Sequence, residues 1–255
     1  MIAVVGNLSK DIVEDGEPRV GGGPYYTARA LRLLQGEARI LTRCAETDRA
    51  LLVPPLVALG IPVTVLPAAT TASFRLGYTG DHRWMEVAAV GDAWTPAEVS
   101  KLGRADWVHV APLLRSDFPA ETLAELAHGR RLLLDGQGLV RAPHTGPLEL
   151  DAEFDPELLR HVSALKLSEE EAEALGDPEG LGVAEVLVTH GSRGTTVFAD
   201  GRATEIPAGR VAAVDPTGAG DAFSVAYVAA RASGQPPVPS ARRAAALVTR
   251  LLGDP

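Results

Sequence analysis

Cysteine is almost missing from this chain. Cys44 is the single one in 255 residues, so no disulfide framework can form within it. Aromatic residues are also scarce, at 5% against 46% hydrophobic overall, so the core must be built mainly from Ala, Val and Leu. No apolar run reaches the ~18 residues of a membrane-spanning helix. The apolar start, residues 1–6, is too short for a secretory signal and lacks a basic leader, so a cytoplasmic setting is expected. Positive charge is in deficit: 24 Lys and Arg stand against 33 Asp and Glu, for a net charge of −9. That balance argues against a nucleic-acid partner but allows a nucleotide in a local pocket. Three motifs are absent as well: a Gly-x-x-x-x-Gly-Lys-Ser/Thr loop, a Gly-x-Gly-x-x-Gly after the first strand, and a His-rich cluster. Their absence excludes P-loop kinases, dinucleotide-binding folds and His-based metal centres.

What is present alternates. Short β-like runs at residues 2–5, 39–41, 62–66, 107–110, 131–134, 164–167 and 186–189 are separated by helical patterns at 24–34, 119–128 and 168–175. Asp155-Pro156 marks a further helix start, and Thr95-Pro96-Ala97-Glu98 is a capping box with proline at its first helical position. Asp200-Gly201 between two β-like runs signals a type I′ hairpin. Two last helices are expected at 221–233 and 240–252. Repeated βα units predict a three-layer α/β sandwich around a mainly parallel sheet, as a single domain over residues 1–255. Residues 11–20 and 72–90 break the rhythm: the first is polar and extended, the second alternates around Gly80-Asp81. They predict a small antiparallel β lid inserted in two pieces.

The strongest local signal is Asp215-Pro216-Thr217-Gly218-Ala219-Gly220-Asp221, directly before an apolar helical run. A glycine turn opening a helix presents unpaired N–H groups and the positive end of the helix dipole, which suits a phosphate. Asp221 beside it is placed to take a proton from an attacking hydroxyl. The local chemistry is phosphoryl transfer. At a helix N-terminus this carboxylate is expected to stay ionised, favouring positioning over strong basicity. Six defined positions match by chance on the order of 10⁻⁷ per window.

This stretch resembles the C-terminal signature of the ribokinase (PfkB) family of carbohydrate kinases, Asp-x-x-Gly-Ala-Gly-Asp. The resemblance implies a ribokinase-like fold, Asp221 as catalytic base, and Gly218, Ala219 and Gly220 as an anion hole. It extends along the chain. Gly6-Asn7-Leu8-Ser9-Lys10-Asp11 is similar to the family's early Gly-x-x-x-x-Asp, implying that Asp11 binds substrate hydroxyls. Gly22-Gly23-Pro24 is similar to its di-glycine signature, with Tyr26 where many sugar kinases carry Asn. Asp135-Gly136-Gln137 with Arg141 resembles Asp-x-Asn-x-x-Arg, adding Gln137 and Arg141 to the substrate set. Ser168-Glu169-Glu170-Glu171 resembles Asn-x-x-Glu, implying Mg²⁺ supported by Glu171 through water, with Ser168 near the nucleotide. It is equally a capping box. Thr189, Gly191 and Gly194 resemble the nucleotide loop, and the 244–248 face of the last helix is expected to line an adenine pocket.

The implied reaction moves the γ-phosphate of ATP to a hydroxyl of a small polyol or sugar. Short patterns at Asp11, Tyr26, Gln137 and Ser168 look like the myo-inositol kinase branch. A nucleoside or other sugar kinase, and a non-catalytic binder on the same fold, are the alternatives. Tyr25, Tyr26 or Phe74 stacking on a base would favour the nucleoside reading, and the Asn missing at Ser168 would favour the binder. Monovalent-cation dependence and the choice between monomer and homodimer stay open.

Overall fold

The computed structural model describes residues 1–14, 16–34, 36–79, 82–210 and 216–253. Asp215 and the Gly80-Asp81 turn lie outside the described residues. The first half of the chain contains β1 (Ile2–Asn7), β2 (Ser9–Val13), β3 (Arg19–Gly21), α1 (Gly23–Leu31), β4 (Ala38–Ala45), α2 (Arg49–Val57), β5 (Val63–Ala68), β6 (Ala72–Thr79), β7 (His82–Ala89), α3 (Pro96–Val99) and β8 (Trp107–Ala111). The second half contains α4 (Ala120–Ala127), β9 (Arg131–Asp135), α5 (Gln137–Val140), β10 (Gly146–Pro147), β11 (Ala164–Ser168), α6 (Glu169–Leu175), β12 (Glu185–Thr189), β13 (Thr195–Ala199), β14 (Arg202–Ile206), α7 (Ala219–Ala232) and α8 (Pro237–Gly253).

Nine strands form the large sheet in the order β14-β13-β12-β11-β9-β8-β1-β4-β5. The pairs from β5 through β12 are parallel, and the β12–β13–β14 end is antiparallel. Strand alternation sorts side chains to two cores. Ile2 and Val4 of β1 face a cluster with Ala28 and Leu31 of α1 and Val225 and Val228 of α7. Ala3 and Val5 face another with Leu123 and Leu126 of α4. Helices therefore cover both faces, as parallel sheets require.

The chain leaves β1 toward β4 and β5 on one side and later returns to β8, β9 and β11 on the other. That reversal beside β1 opens a crevice at the strands' C-terminal ends, where open α/β sheets bind ligands. A five-stranded sheet, β10-β7-β6-β2-β3, stands next to it. Most of its pairings are antiparallel, but β2 runs parallel to β6. Its inner face has a small core of Phe74, Leu76 and Val87 with Leu113 and Leu114 from the loop after β8.

Three local features differ from the sequence reading. A helix, α2, fills a stretch to which the sequence reading gave no element, and it contains Pro54 and Pro55; Leu52 and Leu56 hold it by burial. The helix expected after Asp155 is a 3₁₀ turn, Pro156–His161, capped by the Asp155 carboxylate. The two-residue β10 joins the small sheet through Gly146 and Pro147, far from the two segments expected there.

Candidate active site

A cavity of about 540 Å³ lies between the C-terminal ends of the parallel strands and the small sheet. Asp11, Gly22, Gly23, Tyr26, Gln137, Arg141, Gly218 and Asp221 all line it, although they come from four separate stretches of chain. Another depression, about 610 Å³, sits at the opposite end of β1, β4 and β5 around Met1, Arg39 and Ile61. It lies away from the strand ends that collect the acids, and none of the expected site residues reaches it.

The side expected to take the acceptor is built by two glycines and an acid. Gly22 caps α1 with φ 93°, a conformation that side chains rarely adopt, and its backbone lies against Asn7 and Leu8. Gly23 opens α1 so close to the next group that a β-carbon there would stand 2.8 Å from Asp221 Oδ1. Ser9 Oγ donates to Asp11 Oδ1 at 2.7 Å and so orients that carboxylate, which is 9% exposed. Burial, then the charge of Asp11, pushes the Tyr26 phenol up to about 12, with Asp221 adding to the rise. Tyr26 therefore keeps its proton at any working pH, and its phenol can donate a hydrogen bond into the cavity.

The phosphate turn has the geometry its glycines imply. Gly218 caps the fourteen-residue α7 in the left-handed region, φ 82° and ψ 2°, and packs flat on the Tyr26 ring; a β-carbon would lie 2.5 Å from Tyr26 Cδ1. The Ala219 N–H already donates to Pro216 O at 2.9 Å, so this expected anion-hole residue contributes to the turn's shape. Asp221 sits in the first helical turn, and its Oδ1 has no hydrogen-bond partner among the described residues. Burial, reinforced by the charge of Asp135, pushes the Asp221 carboxyl up to about 7; Lys166 and Arg141 partly oppose this. The expectation of a firmly ionised carboxylate is thus corrected. The helix dipole is worth at most ~2 kcal/mol, and desolvation beside a second acid outweighs it.

The residues expected to hold the donor are spread along the ends of β11 and β12, beside the cavity rather than lining it. Ser168 and Glu171 form a reciprocal capping box: Ser168 N–H donates to Glu171 Oε2 at 2.8 Å, and Glu171 N–H donates to Ser168 Oγ at 3.2 Å. Thr189 Oγ1 donates to the Leu167 carbonyl at 3.0 Å. Gly191 begins a 3₁₀ turn, and Gly194 is pressed against Ile206 and Pro207, so its lack of a side chain serves packing. His190 pairs with Thr196 at 2.9 Å, within the loop. On α8, Ala244 is fully buried in that core, and Ala245, Leu247 and Val248 are half-buried against it, so the face expected to line an adenine pocket keeps partly open side chains. Gly209 also lies directly on Thr249 of that helix.

Two charged groups were assigned no role from the sequence. Lys166 of β11 and Asp135 of β9 are cross-strand neighbours, 6% and 1% exposed, with Nζ 3.3 Å from Oδ2 and 3.5 Å from Oδ1. The available signal was a charged residue inside an otherwise apolar strand, Ala164-Leu165-Lys166-Leu167. Arg19 of β3 joins the cavity as well.

No group of three or more His, Cys, Asp or Glu gathers to hold a metal among the described residues. With one oxygen of Glu171 committed to the cap, this region fits Mg²⁺ only as an ion carried on donor phosphates and water, with Glu171 at its outer shell. Bound in that way, the ion would supply charge neutralisation of the phosphates.

Residues 67–251 match the model of the pfkB family carbohydrate kinases. The chain belongs to that family, which makes it a phosphotransferase of the ribokinase-like fold that acts on carbohydrate or polyol hydroxyls. A fructokinase from Klebsiella pneumoniae is 27% identical over 265 residues, covering 91% of this chain and 84% of that protein. Among solved structures, a pyrophosphate-dependent kinase in the ribokinase family, complexed with a pyrophosphate analog and myo-inositol, superposes with a TM-score of 0.86. It is 25% identical and covers 99% of this chain and 95% of its own. A pyrophosphate-dependent myo-inositol-1 kinase, converted into a myo-inositol-3 kinase by two substitutions to leucine, gives 0.85 at 25% identity, covering 100% and 94%. Among the described residues no helix is long and apolar enough to cross a membrane.

Proposed function

We propose that this kinase phosphorylates a hydroxyl of a small cyclic polyol, most directly an inositol, with Asp221 as the base. The observation that carries the reading is the placement of Asp11, Tyr26 and Asp221 on one cavity. Asp11, the Tyr26 phenol, Gln137 and Arg141 offer donors and acceptors for adjacent ring hydroxyls. Asp221 receives the proton of the hydroxyl that attacks. In a loose phosphoryl-transfer transition state that proton leaves late, so a carboxylate of pKa about 7 both aims the hydroxyl and is basic enough to accept from it. The small sheet is the lid that closes over the acceptor. Phe74, Leu76 and Met85 of β6 and β7 are apolar, which suits the C–H face of a ring, while Asp11 of β2 takes its hydroxyl edge.

The donor expected from sequence is ATP with Mg²⁺. A second donor, pyrophosphate, is favoured by the similarity to pyrophosphate-dependent kinases.

The test is a matrix of acceptors (inositols, ketohexoses, ribose, nucleosides) against both donors, read by phosphorus NMR of the product. Turnover with inositols is expected to exceed that with every other class. A clear preference for a nucleoside would end the polyol reading, and a preference for a ketohexose would move it to the sugar kinases.

A further inference from the structure

Lys166 has no place in the chemistry described so far, yet it is among the most buried charges in the molecule. A lysine ammonium in such a position is costly unless something holds it. Asp135 does so across the sheet at 3.3 Å. The pair alone does not account for where the ammonium points. Nζ would lie 3.1 Å from a β-carbon placed on Gly220, so the ammonium rests directly against the turn that opens α7. Any side chain at that position would crowd it. Two further carboxylates, Glu171 and Asp221, act electrostatically on the same ammonium. Burial alone would lower its pKa, but the charges of Asp135, Glu171 and Asp221 outweigh that and keep it protonated. One lysine thus faces three acids at the mouth of a phosphate turn. Arg141 is the other cation that acts on this cluster.

We propose that Lys166 is a further catalytic residue, whose ammonium binds the transferring phosphoryl group at the Gly218–Gly220 turn, with Asp135 as the residue that positions it. This rests on the phosphoryl-transfer reading above but not on which alcohol is the acceptor. In the step, the bond from phosphorus to the bridging oxygen of the donor breaks, and the electron pair leaves with that oxygen. The bond from the acceptor oxygen to phosphorus forms, and the acceptor proton passes to Asp221. The non-bridging oxygens keep their negative charge throughout. A fixed ammonium beside a helix N-terminus stabilises that charge without reorganising. Unlike the surrounding acids, Lys166 becomes more favourably placed once a phosphate arrives, because the incoming anion adds to the charge it balances.

The test uses inorganic pyrophosphate as the probe and calorimetric binding as the first readout, so it does not depend on knowing the acceptor. Lys166→Met should weaken pyrophosphate binding at least tenfold, while Lys166→Arg should retain part of it. Removing one partner leaves Asp135 buried and unpaired, which could unfold the protein, so the double variant Asp135→Asn with Lys166→Met is made alongside. Its melting temperature should recover toward wild type while pyrophosphate binding stays lost. With an acceptor found by the substrate matrix, kcat should fall roughly 10²–10³-fold in both Met variants, the scale of losing one fixed charge-stabilising donor. Pyrophosphate affinity or turnover restored in the double variant would overturn the proposal, since Lys166 would then serve only to neutralise Asp135. If the wild type phosphorylates no polyol, the acceptor reading fails, and the pyrophosphate titration still decides the role of Lys166.

Discussion

The two walls of the cavity differ sharply. The floor, formed by the ends of the parallel strands and the starts of α1 and α7, carries Tyr26, Arg141, Gln137 and Asp221. The opposite wall, formed by β2, β6, β7 and the loop after β8, contributes Phe74, Leu76, Met85 and Leu113, together with Asp11 beside Phe74. The floor is assembled from rigid elements, with glycines at φ 93° and 82° fixing backbone that no other residue would tolerate easily. Reaction chemistry needs that precision, because charges must be held to a fraction of an ångström. The lid wall is set by strand alternation, which presents every second residue inward, and its side chains exclude water and shape the space. On the proposed reading, the floor governs whether phosphoryl transfer occurs, and the small-sheet wall governs which molecule and which hydroxyl is presented.

That division can be broken by substitutions on each wall. The largest effect is expected from Asp221→Asn, which keeps the shape and removes the proton acceptor. Turnover should fall about 10²–10⁴-fold, the usual contribution of a general base, with donor affinity little changed or improved. If Asp221 were only a helix cap, Asn would serve nearly as well and activity would survive.

Next is Gly218→Ala. The left-handed conformation costs an ordinary residue roughly 1–2 kcal/mol, and the new methyl meets the Tyr26 ring. A loss of about tenfold or more in kcat/KM is expected, together with a lower melting temperature. A variant of full activity would show that the turn is not a fixed anion site.

The lid wall should respond differently. Leu76→Asn or Met85→Ser should leave the chemical step intact and alter discrimination among acceptors by ~1–2 kcal/mol, about tenfold, the scale of a small pocket change. Product NMR would register whether the phosphorylated position shifts. A uniform loss of kcat on every acceptor would contradict the division of labour.

The smallest expected effect is on stability. The folded-state pKa of Asp221, about 7, lies above the ordinary 3.8. As pH rises through ~4 the unfolded chain releases this proton while the folded chain keeps it, so stability is lost across pH 4–7 and the penalty persists above. Asp221→Asn removes that penalty. Three units would set a ceiling of ~4 kcal/mol. Water in the cavity reduces this, and a gain of about 1–2 kcal/mol is expected at pH 8, vanishing below pH 4 in thermal melts.

Much of this architecture was legible in the residues. The phosphate turn, the di-glycine opening of α1 and the parallel strands rest on local patterns, because glycine demand and apolar periodicity are local properties. The hairpin at Asp200-Gly201 is another such case, with both residues at positive φ. What was not legible depends on distant neighbours. The Lys166–Asp135 pair follows from the register of β11 on β9, which no local pattern encodes. The inward face of β6 and β7 is settled by packing on Leu113 and Leu114. The ionisation of Asp221 was misjudged because the sequence shows its helix terminus but not its burial or the nearby acid.

The central claim is that Asp221 acts as a base whose affinity for its proton is set by the buried floor. It is tested most directly by the pH dependence of kcat/KM for the preferred acceptor, measured from pH 5 to 9. The protonated form cannot accept the hydroxyl proton. The account predicts a rate that rises about tenfold per unit below pH 7, bends near 7 and levels above it. Asp221→Asn should have lost that bend along with most of its rate. A wild-type profile flat from pH 5 to 9, or a bend retained in the variant, would contradict it.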